Sequence, residues 1–195
     1  MGCEYLMMRT KYIFFLFFIF FGCSTPNERL YNGIYKGSLE LVKNSLIDGA
    51  NVDAKNTIGE TPLIKAVKTR NLNIIKFLIL KGANVNYKGT RLGETVLMIA
   101  VEHGDLEIVE TLISKGANID DRDKYGNTAL MKASEKGKYQ IAQFLVSKGA
   151  DINAQNEDGK TSLMYASDFG GSKEIEKFLI KKRAKTNLKD KEGKL

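Results

Sequence analysis

Apolar residues in this chain are spaced as in short helices, and the spacing recurs along the sequence. Within 123–150, apolar or small residues stand at i, i+1, i+3 and i+4 twice, in Leu130, Met131, Ala133 and Ser134 and again in Ile141, Ala142, Phe144 and Leu145. This spacing is typical of amphipathic helices and predicts two of them, joined at Gly137. Each would have about ten residues or fewer, which is too short for stability in isolation.

The whole pattern repeats every 33 or 34 residues. A Gly-Ala pair closes successive copies at Gly49, Gly82, Gly116 and Gly149, and a G-x-T-x-L pattern opens copies at Gly59, Gly93, Gly126 and Gly159. A helix pair of this kind buries its apolar side only against a neighbouring pair. The period therefore predicts an all-α solenoid.

Capping residues stand where such helices should begin and end. Thr128 precedes an apolar run as an N-cap should, and Pro62 after Thr61 suits a first helical position. Gly149 follows a second helix, where a left-handed residue is favoured. Arg70 and Arg183 occupy positions that hold glycine in most other copies, so strain is expected there if these positions need a positive φ.

The repeated motifs resemble the ankyrin repeat. TPLIKAV at Thr61 is similar to that family's T-P-L-H-x-A-A signature, and IIKFLILKGANVN, IVETLISKGANID and IAQFLVSKGADIN resemble its second helix and closing turn. The resemblance covers 30–195, about five repeats, of which the first and last are atypical. It implies stacked helix-turn-helix units joined by β-hairpin-like fingers, a non-catalytic function in binding an unidentified protein, and a monomer.

The first 29 residues have a different character. Arg9 and Lys11 precede the ten-residue apolar run Tyr12–Phe21, which predicts a signal peptide over 1–22, because a membrane-spanning helix needs about 20 apolar residues. Gly22-Cys23 resembles a bacterial lipobox, although two phenylalanines replace the usual leucine and small residue. We expect Cys23 to be the lipidated mature N-terminus and 23–29 to be a polar tether. Translation could also start at Met7 or Met8.

These features predict a lipoprotein of the cell envelope, held to a membrane on its periplasmic or surface side. Two lipid chains would make the attachment stable. The alternative is a cytoplasmic protein whose signal is not used.

Charge is unevenly distributed. The formal net charge is +7, of which the last 23 residues contribute +5. One alternative function is therefore binding of anionic lipid or nucleic acid by the basic C-terminal repeat. A solvated outer surface is the preferred interpretation, and no nucleic acid partner is expected, because no nucleic-acid-binding motif accompanies the charge.

The residue types needed for catalysis or metal binding are scarce. The only cysteines are Cys3 and Cys23, and the only histidine is His103. They cannot form a cysteine-histidine zinc site, and no serine or cysteine nucleophile has a distinctive setting. Asp120 and Asp121 are expected to be solvated loop acids. We predict neither enzymatic activity nor a cofactor.

The family's signature histidine is absent from every copy. The residues in its place are Ile64, Met98, Met131 and Met164. This column is predicted to fill space in the core rather than to bind a ligand.

Repeat phase locates two exposed columns, which by resemblance line a concave face. The residue before each opening glycine, at the finger tip, is Ile58, Leu92, Tyr125 or Asp158, and the second column ends each first helix. Aromatic and apolar side chains ringed by polar ones are typical of binding hot spots. The predicted partner-binding residues are Tyr35, Ile58, Leu92, His103, Tyr125 and Phe169. Alternatively, Tyr125 braces its hairpin, or the partner is a secreted enzyme that the chain regulates or chaperones.

Overall fold

The protein is described by a computed structural model over residues 24–89, 91–168 and 172–194. The predicted signal peptide, Cys23 and Phe169 lie outside the described residues. No helix in the described ranges is long and apolar enough to cross a membrane.

Ten helices occur in the described parts of the chain, as five antiparallel pairs. The first helices of the pairs, here called inner helices, are α1 (Pro26–Tyr35), α3 (Pro62–Lys68), α5 (Val96–His103), α7 (Ala129–Glu135) and α9 (Ser162–Ser167). The second helices, called outer helices, are α2 (Leu39–Ile47), α4 (Leu72–Leu80), α6 (Leu106–Ser114), α8 (Tyr139–Ser147) and α10 (Lys173–Lys181). Inner helices pack on their neighbours along the stack, which confirms the all-α solenoid.

One continuous apolar core runs through the stack. Each repeat contributes fully buried residues from both of its helices, such as Leu63 and Ile74 in the second repeat or Leu130 and Leu145 in the fourth. Burial of one such side chain contributes about 1.5–3 kcal/mol. The short helices are therefore stabilised by apolar packing between neighbouring repeats, as expected because helices of this length are unstable alone.

Threonine caps the inner helices as the sequence predicts. In α3, α5, α7 and α9 the hydroxyl of the N-cap threonine accepts a hydrogen bond from the backbone N–H three residues later. The methionine column also takes part, because the sulfurs of Met131 and Met164 each accept the N–H of their N-cap threonine at 3.4 Å. These two methionines thus provide a polar contact besides filling space.

The first helix begins four residues before the predicted boundary at Leu30. Thr25 and Glu28 form a reciprocal capping box, and Pro26 takes the first helical position. A Thr-Pro-x-Glu sequence favours helix initiation over a polar tether. The segment 26–29 is therefore an extra turn of α1.

Two arginines adopt left-handed conformations, as the repeat alignment predicts. Arg70 has φ of 55° and Arg183 has φ of 65°. Arg70 also contacts Asp105 across the repeat at 3.5 Å. The described residues include no ion pair for Arg183, so strain at that position is the less compensated.

Replacing Arg183 by glycine should stabilise the last repeat by up to about 1 kcal/mol, because glycine adopts a positive φ without the Cβ clash. Equilibrium unfolding in urea and hydrogen exchange of α10 would measure the gain. Arg183→Ala is the matched control, since it removes the side chain but keeps the Cβ. Equal stability of the two variants would contradict the strain.

Five tight turns, here called fingers 1 to 5, project from the helix pairs. They span 56–60, 89–94, 123–127, 156–160 and 190–194, and in each the first residue's N–H donates to the last residue's carbonyl oxygen at 3.0–3.3 Å. In all but finger 2, an Asn or Asp side chain at the first position accepts two further backbone N–H groups. The described residues hold one isolated β-bridge, Lys88 to Thr95, and no strand.

Finger 2 differs because Gly89 begins it and one extra residue lengthens it. Finger 5 extends the stack beyond the last helix: Lys191 N–H donates to the Asp158 carbonyl at 2.8 Å. The C-terminal segment is thus an ordered cap.

Candidate functional site

Three apolar side chains stand exposed at successive finger tips. The exposed fractions are 63% for Ile58, 39% for Leu92 and 54% for Tyr125. We call these residues the finger-tip row. Each precedes a glycine with positive φ, so the turn itself directs the preceding side chain outward. The equivalent residue in finger 4 is the exposed Asp158, where the apolar row ends.

Backbone hydrogen bonds join the fingers to each other. Leu92 carbonyl oxygen accepts from Lys124 N–H at 2.9 Å, and Tyr125 carbonyl oxygen accepts from Glu157 N–H at 2.9 Å. Leu92 and Tyr125 are therefore held in register by the fingers that follow them.

The sequence left open the alternative that the Tyr125 side chain only braces its own hairpin. Its backbone N–H and carbonyl oxygen are both bonded, to Asp123 and Glu157. In the portion of the chain that is described, its side chain makes no hydrogen bond or aromatic contact. The finger is thus braced by the Tyr125 backbone, and half of the side chain remains exposed.

The other predicted site residues lie at the ends of inner helices. Tyr35 ends α1 and is exposed, with the Lys65 ammonium 5.8 Å from its ring centroid. His103 ends α5 and is exposed beside the left-handed Gly104. In the described structure, neither residue makes a side-chain hydrogen bond, ion pair or ring contact with the finger-tip row.

Two cations flank the finger-tip row. Arg91 precedes Leu92 and Lys124 precedes Tyr125, and both are exposed. The Lys124 stem packs over Gly93 of the preceding finger. Neither cation has an ion-pair partner among the described residues, so both charges are available to a ligand.

A buried charge cluster, which sequence reasoning missed, lies below these tips. Lys132 of α7 is almost fully buried and its ammonium lies 3.0 Å from Glu94, 3.4 Å from Glu102 and 3.6 Å from Asp123. Glu94 belongs to finger 2, Asp123 to finger 3 and Glu102 to α5. The charge cluster therefore holds fingers 2 and 3, which carry Leu92 and Tyr125, against inner helices α5 and α7.

Opposing effects act on the pKa of Lys132. Burial lowers it, but the hydrogen bond to Glu94 and the charges of Glu94, Glu102 and Asp123 outweigh burial and raise the net pKa. Lys132 is consequently charged throughout the physiological range. The repeat alignment carried little signal, because the position of Lys132 holds the buried Ile99 in the preceding copy but the half-exposed Lys65 in the copy before that.

Hydrogen bonds from two tyrosine hydroxyl groups also hold finger 1 and fingers 3 and 4 in place. The Tyr31 hydroxyl donates to the carbonyl oxygens of Ala54 and Glu60 at 2.8 and 2.6 Å, beside finger 1. The Tyr165 hydroxyl donates to Asn127 at 3.1 Å and accepts from Asn156 of finger 4. Burial raises the pKa of both phenols, so they remain protonated donors.

The described residues give little support for a metal-binding site. No group of three or more His, Cys, Asp or Glu residues there could hold a metal ion. The side chains that come together near the finger tips are suited to structural hydrogen bonding and to contact with a ligand surface.

Comparison with known proteins agrees with this architecture. A relative from Mus musculus, "Ankyrin repeat, SAM and basic leucine zipper domain-containing protein 1", is 35% identical over 66 residues, which cover 34% of this chain and 14% of that protein. A family model described as "Ankyrin repeats (3 copies)" matches residues 30–123 and 119–190. That match covers most of the chain and the whole series of helix pairs from Leu30 onward, so the chain belongs to the ankyrin-repeat family.

Proposed function

We propose that the chain is a non-catalytic scaffold that binds a partner protein through the finger-tip row. Ankyrin repeats point to protein interaction in general, and the finger-tip row supports this particular surface. The central observation is that Leu92 and Tyr125 are exposed while their fingers are held rigidly by backbone bonds and by the charge cluster. Rigid apolar anchors lose little conformational entropy on binding, so they favour affinity.

The charges beside the row indicate what the partner surface contains. Arg91 and Lys124 would face acidic groups, and Leu92 and Tyr125 would enter apolar depressions. Tyr35 and His103 end inner helices outside the row and are proposed as peripheral contacts. Phe169, predicted with them, is retained as a proposal.

Leu92→Asp should weaken binding of a partner identified by cross-linking at least about tenfold, or ~1.4 kcal/mol. The variant should fold, because Asp158 occupies the equivalent tip of finger 4. Leu80→Asp is the control, since Leu80 is exposed at the end of outer helix α4. Calorimetry of purified components measures both. Unchanged affinity for folded Leu92→Asp, or equal loss with Leu80→Asp, would refute the proposed surface.

We also propose that the protein is exported and anchored through a lipidated Cys23. The basic residues before Tyr12–Phe21 and the following Gly22-Cys23 support this proposal. On that basis Cys23→Ala should move most of the protein from the membrane to a soluble fraction, because the lipid chains supply the attachment. Intact-mass analysis is the control for processing. An unmodified Cys23, or unchanged partition of the variant, would exclude the anchor.

A further inference from the structure

A second surface lies on the outer helices, away from the finger-tip row. An open groove of about 720 Å³ runs between α8 and α10. Its apolar lining includes Tyr139, Val146 and Phe178, and its basic lining consists of Lys177, Lys181 and Lys182. We call it the outer groove. None of its residues belongs to the proposed partner site, so the finger-tip row does not account for it.

Repeat alignment shows that α10 alone among the five described outer helices has lysine at both the 177 and the 181 position. Lys177 stands where α6 has Glu110 and α8 has Gln143, although α2 and α4 have lysine there, at Lys43 and Lys76. Lys181 stands where α6 and α8 have serine, at Ser114 and Ser147. The fold itself therefore requires neither lysine, since the neighbouring repeats form the same helix without them.

The floor of the outer groove also departs from its counterparts. Tyr139 replaces a leucine found at the same position in the three preceding outer helices, Leu39, Leu72 and Leu106. Its ring meets Phe178 edge to face, with centroids 5.9 Å apart and planes at 82°. Gln143 donates a hydrogen bond to the Tyr139 hydroxyl at 2.9 Å, which fixes the ring's outer end. The result is a preformed aromatic floor beside a basic wall.

Nucleic acid fits this arrangement poorly. A base needs a free aromatic face for stacking, but the Phe178 ring is engaged by Tyr139 and by Lys182, whose ammonium is 6.0 Å from the ring centroid. The lysines are also grouped toward the C-terminal end of α10, with Glu174 at the other end, rather than arranged in a long basic track. The groove instead combines an apolar floor with charge on one wall only.

We infer that the outer groove binds an acidic amphipathic helix of a partner protein. Tyr139 and Val146 are seven residues apart on α8, so the floor is about 10 Å long, or two helical turns. Apolar residues spaced i, i+3 and i+7 on the bound helix would cover Tyr139, Phe178 and Val146. Lys177 and Lys181 lie one turn apart on α10 and pair with two acidic residues spaced i, i+4.

The test uses full-length protein and a labelled synthetic helical peptide of about 18 residues, long enough to populate a helix. The peptide has leucines at i, i+3 and i+7 and two flanking glutamates at i, i+4; a second peptide has lysines in place of the glutamates. Fluorescence anisotropy should show binding of the acidic peptide only. The double substitution Lys177→Gln and Lys181→Ser, which copies the residues of α8, should weaken binding at least about tenfold.

Two controls separate binding in the outer groove from general charge attraction and from lipid binding. Lys76→Gln with Lys115→Ser removes the same charge from α4 and from the residue after α6, and should change affinity less than about twofold if the outer groove is the site. Equal loss in both double variants would show general charge attraction and overturn the proposal. Failure of the acidic peptide to bind would also overturn the proposal. If phosphatidylserine vesicles then bind through the same two lysines, the outer groove is a lipid site instead. Circular dichroism checks that the variants are folded.

Discussion

Lys132→Met should lower the free energy of unfolding by about 3 kcal/mol, because it leaves buried carboxylates without their cation. Lys132 lies within 3.6 Å of three carboxylates, and the Asp123 side chain is fully buried. Methionine keeps most of the lysine stem, so packing changes little. The loss therefore measures the unpaired charge, and urea unfolding at neutral pH would detect it.

The pH range of this effect follows from the raised pKa of Lys132. A raised pKa in the folded state gives stability that is fully present below the unfolded value of about 10.4 and is lost as pH rises through the folded pKa. The full effect should thus be observed at neutral pH. Lys136→Met is the control at the residue that follows the same helix, and its exposed pair with Glu135 should contribute less than about 1 kcal/mol. Equal effects at the two sites would contradict a buried cluster.

Gly126→Ala should destabilise the protein by about 3 kcal/mol and displace finger 4. Gly126 has φ of 76°, where a Cβ costs roughly 1–2 kcal/mol. An added Cβ would also lie 2.9 Å from the backbone nitrogen of Glu157 and 3.2 Å from the Cα of Asn156. Those are backbone atoms of the next finger, so relief requires moving the finger that bonds to Tyr125.

Gly116→Ala separates the cost of a Cβ at positive φ from the cost of its clash with the next finger. Gly116 has φ of 88°, but no atom lies within 4 Å of an added Cβ. Thermal unfolding of both variants should show that Gly126→Ala costs at least about 1 kcal/mol more than Gly116→Ala. If the two variants are equally stable, the fingers are not closely packed, and the rigidity assigned to Tyr125 is wrong.

Much of the fold could be predicted because its information is local and repeated. Threonine before each inner helix and glycine after the first four outer helices are capping signals within a few residues of the ends they define. The strain at Arg183 was predictable for the same reason, since the aligned Gly149 reveals the backbone conformation that the position needs.

The two ends of the repeat stack were harder to predict, because the terminal repeats depart from the pattern that the inner copies share. Thr25 lies three residues before the position of Thr61 in the repeat, so alignment to the other copies hid its capping box. At the other end, finger 5 is stabilised by bonds to finger 4 that its own polar composition does not indicate. Terminal repeats thus follow local and neighbouring contacts rather than the consensus.

The candidate site was predicted only in its exposed part. Finger-tip positions follow from phase, and all three residues of the finger-tip row are exposed as expected. The charge cluster joins Lys132 to Glu94, 38 residues earlier, and such a pairing depends on how two repeats stack. The lysine itself was no clear sign, since the same repeat position holds the half-exposed Lys65 in another copy.

Site-specific photo-cross-linking in cells tests the proposed partner surface most directly. A photoreactive phenylalanine derivative would replace either Tyr125 in the finger-tip row or Ser114, which is exposed at the end of outer helix α6. The account predicts a discrete protein adduct from position 125, suppressed by Leu92→Asp in the same chain, and none of that mass from position 114. The same adduct from position 114, or an adduct at 125 that persists with Leu92→Asp, would contradict it.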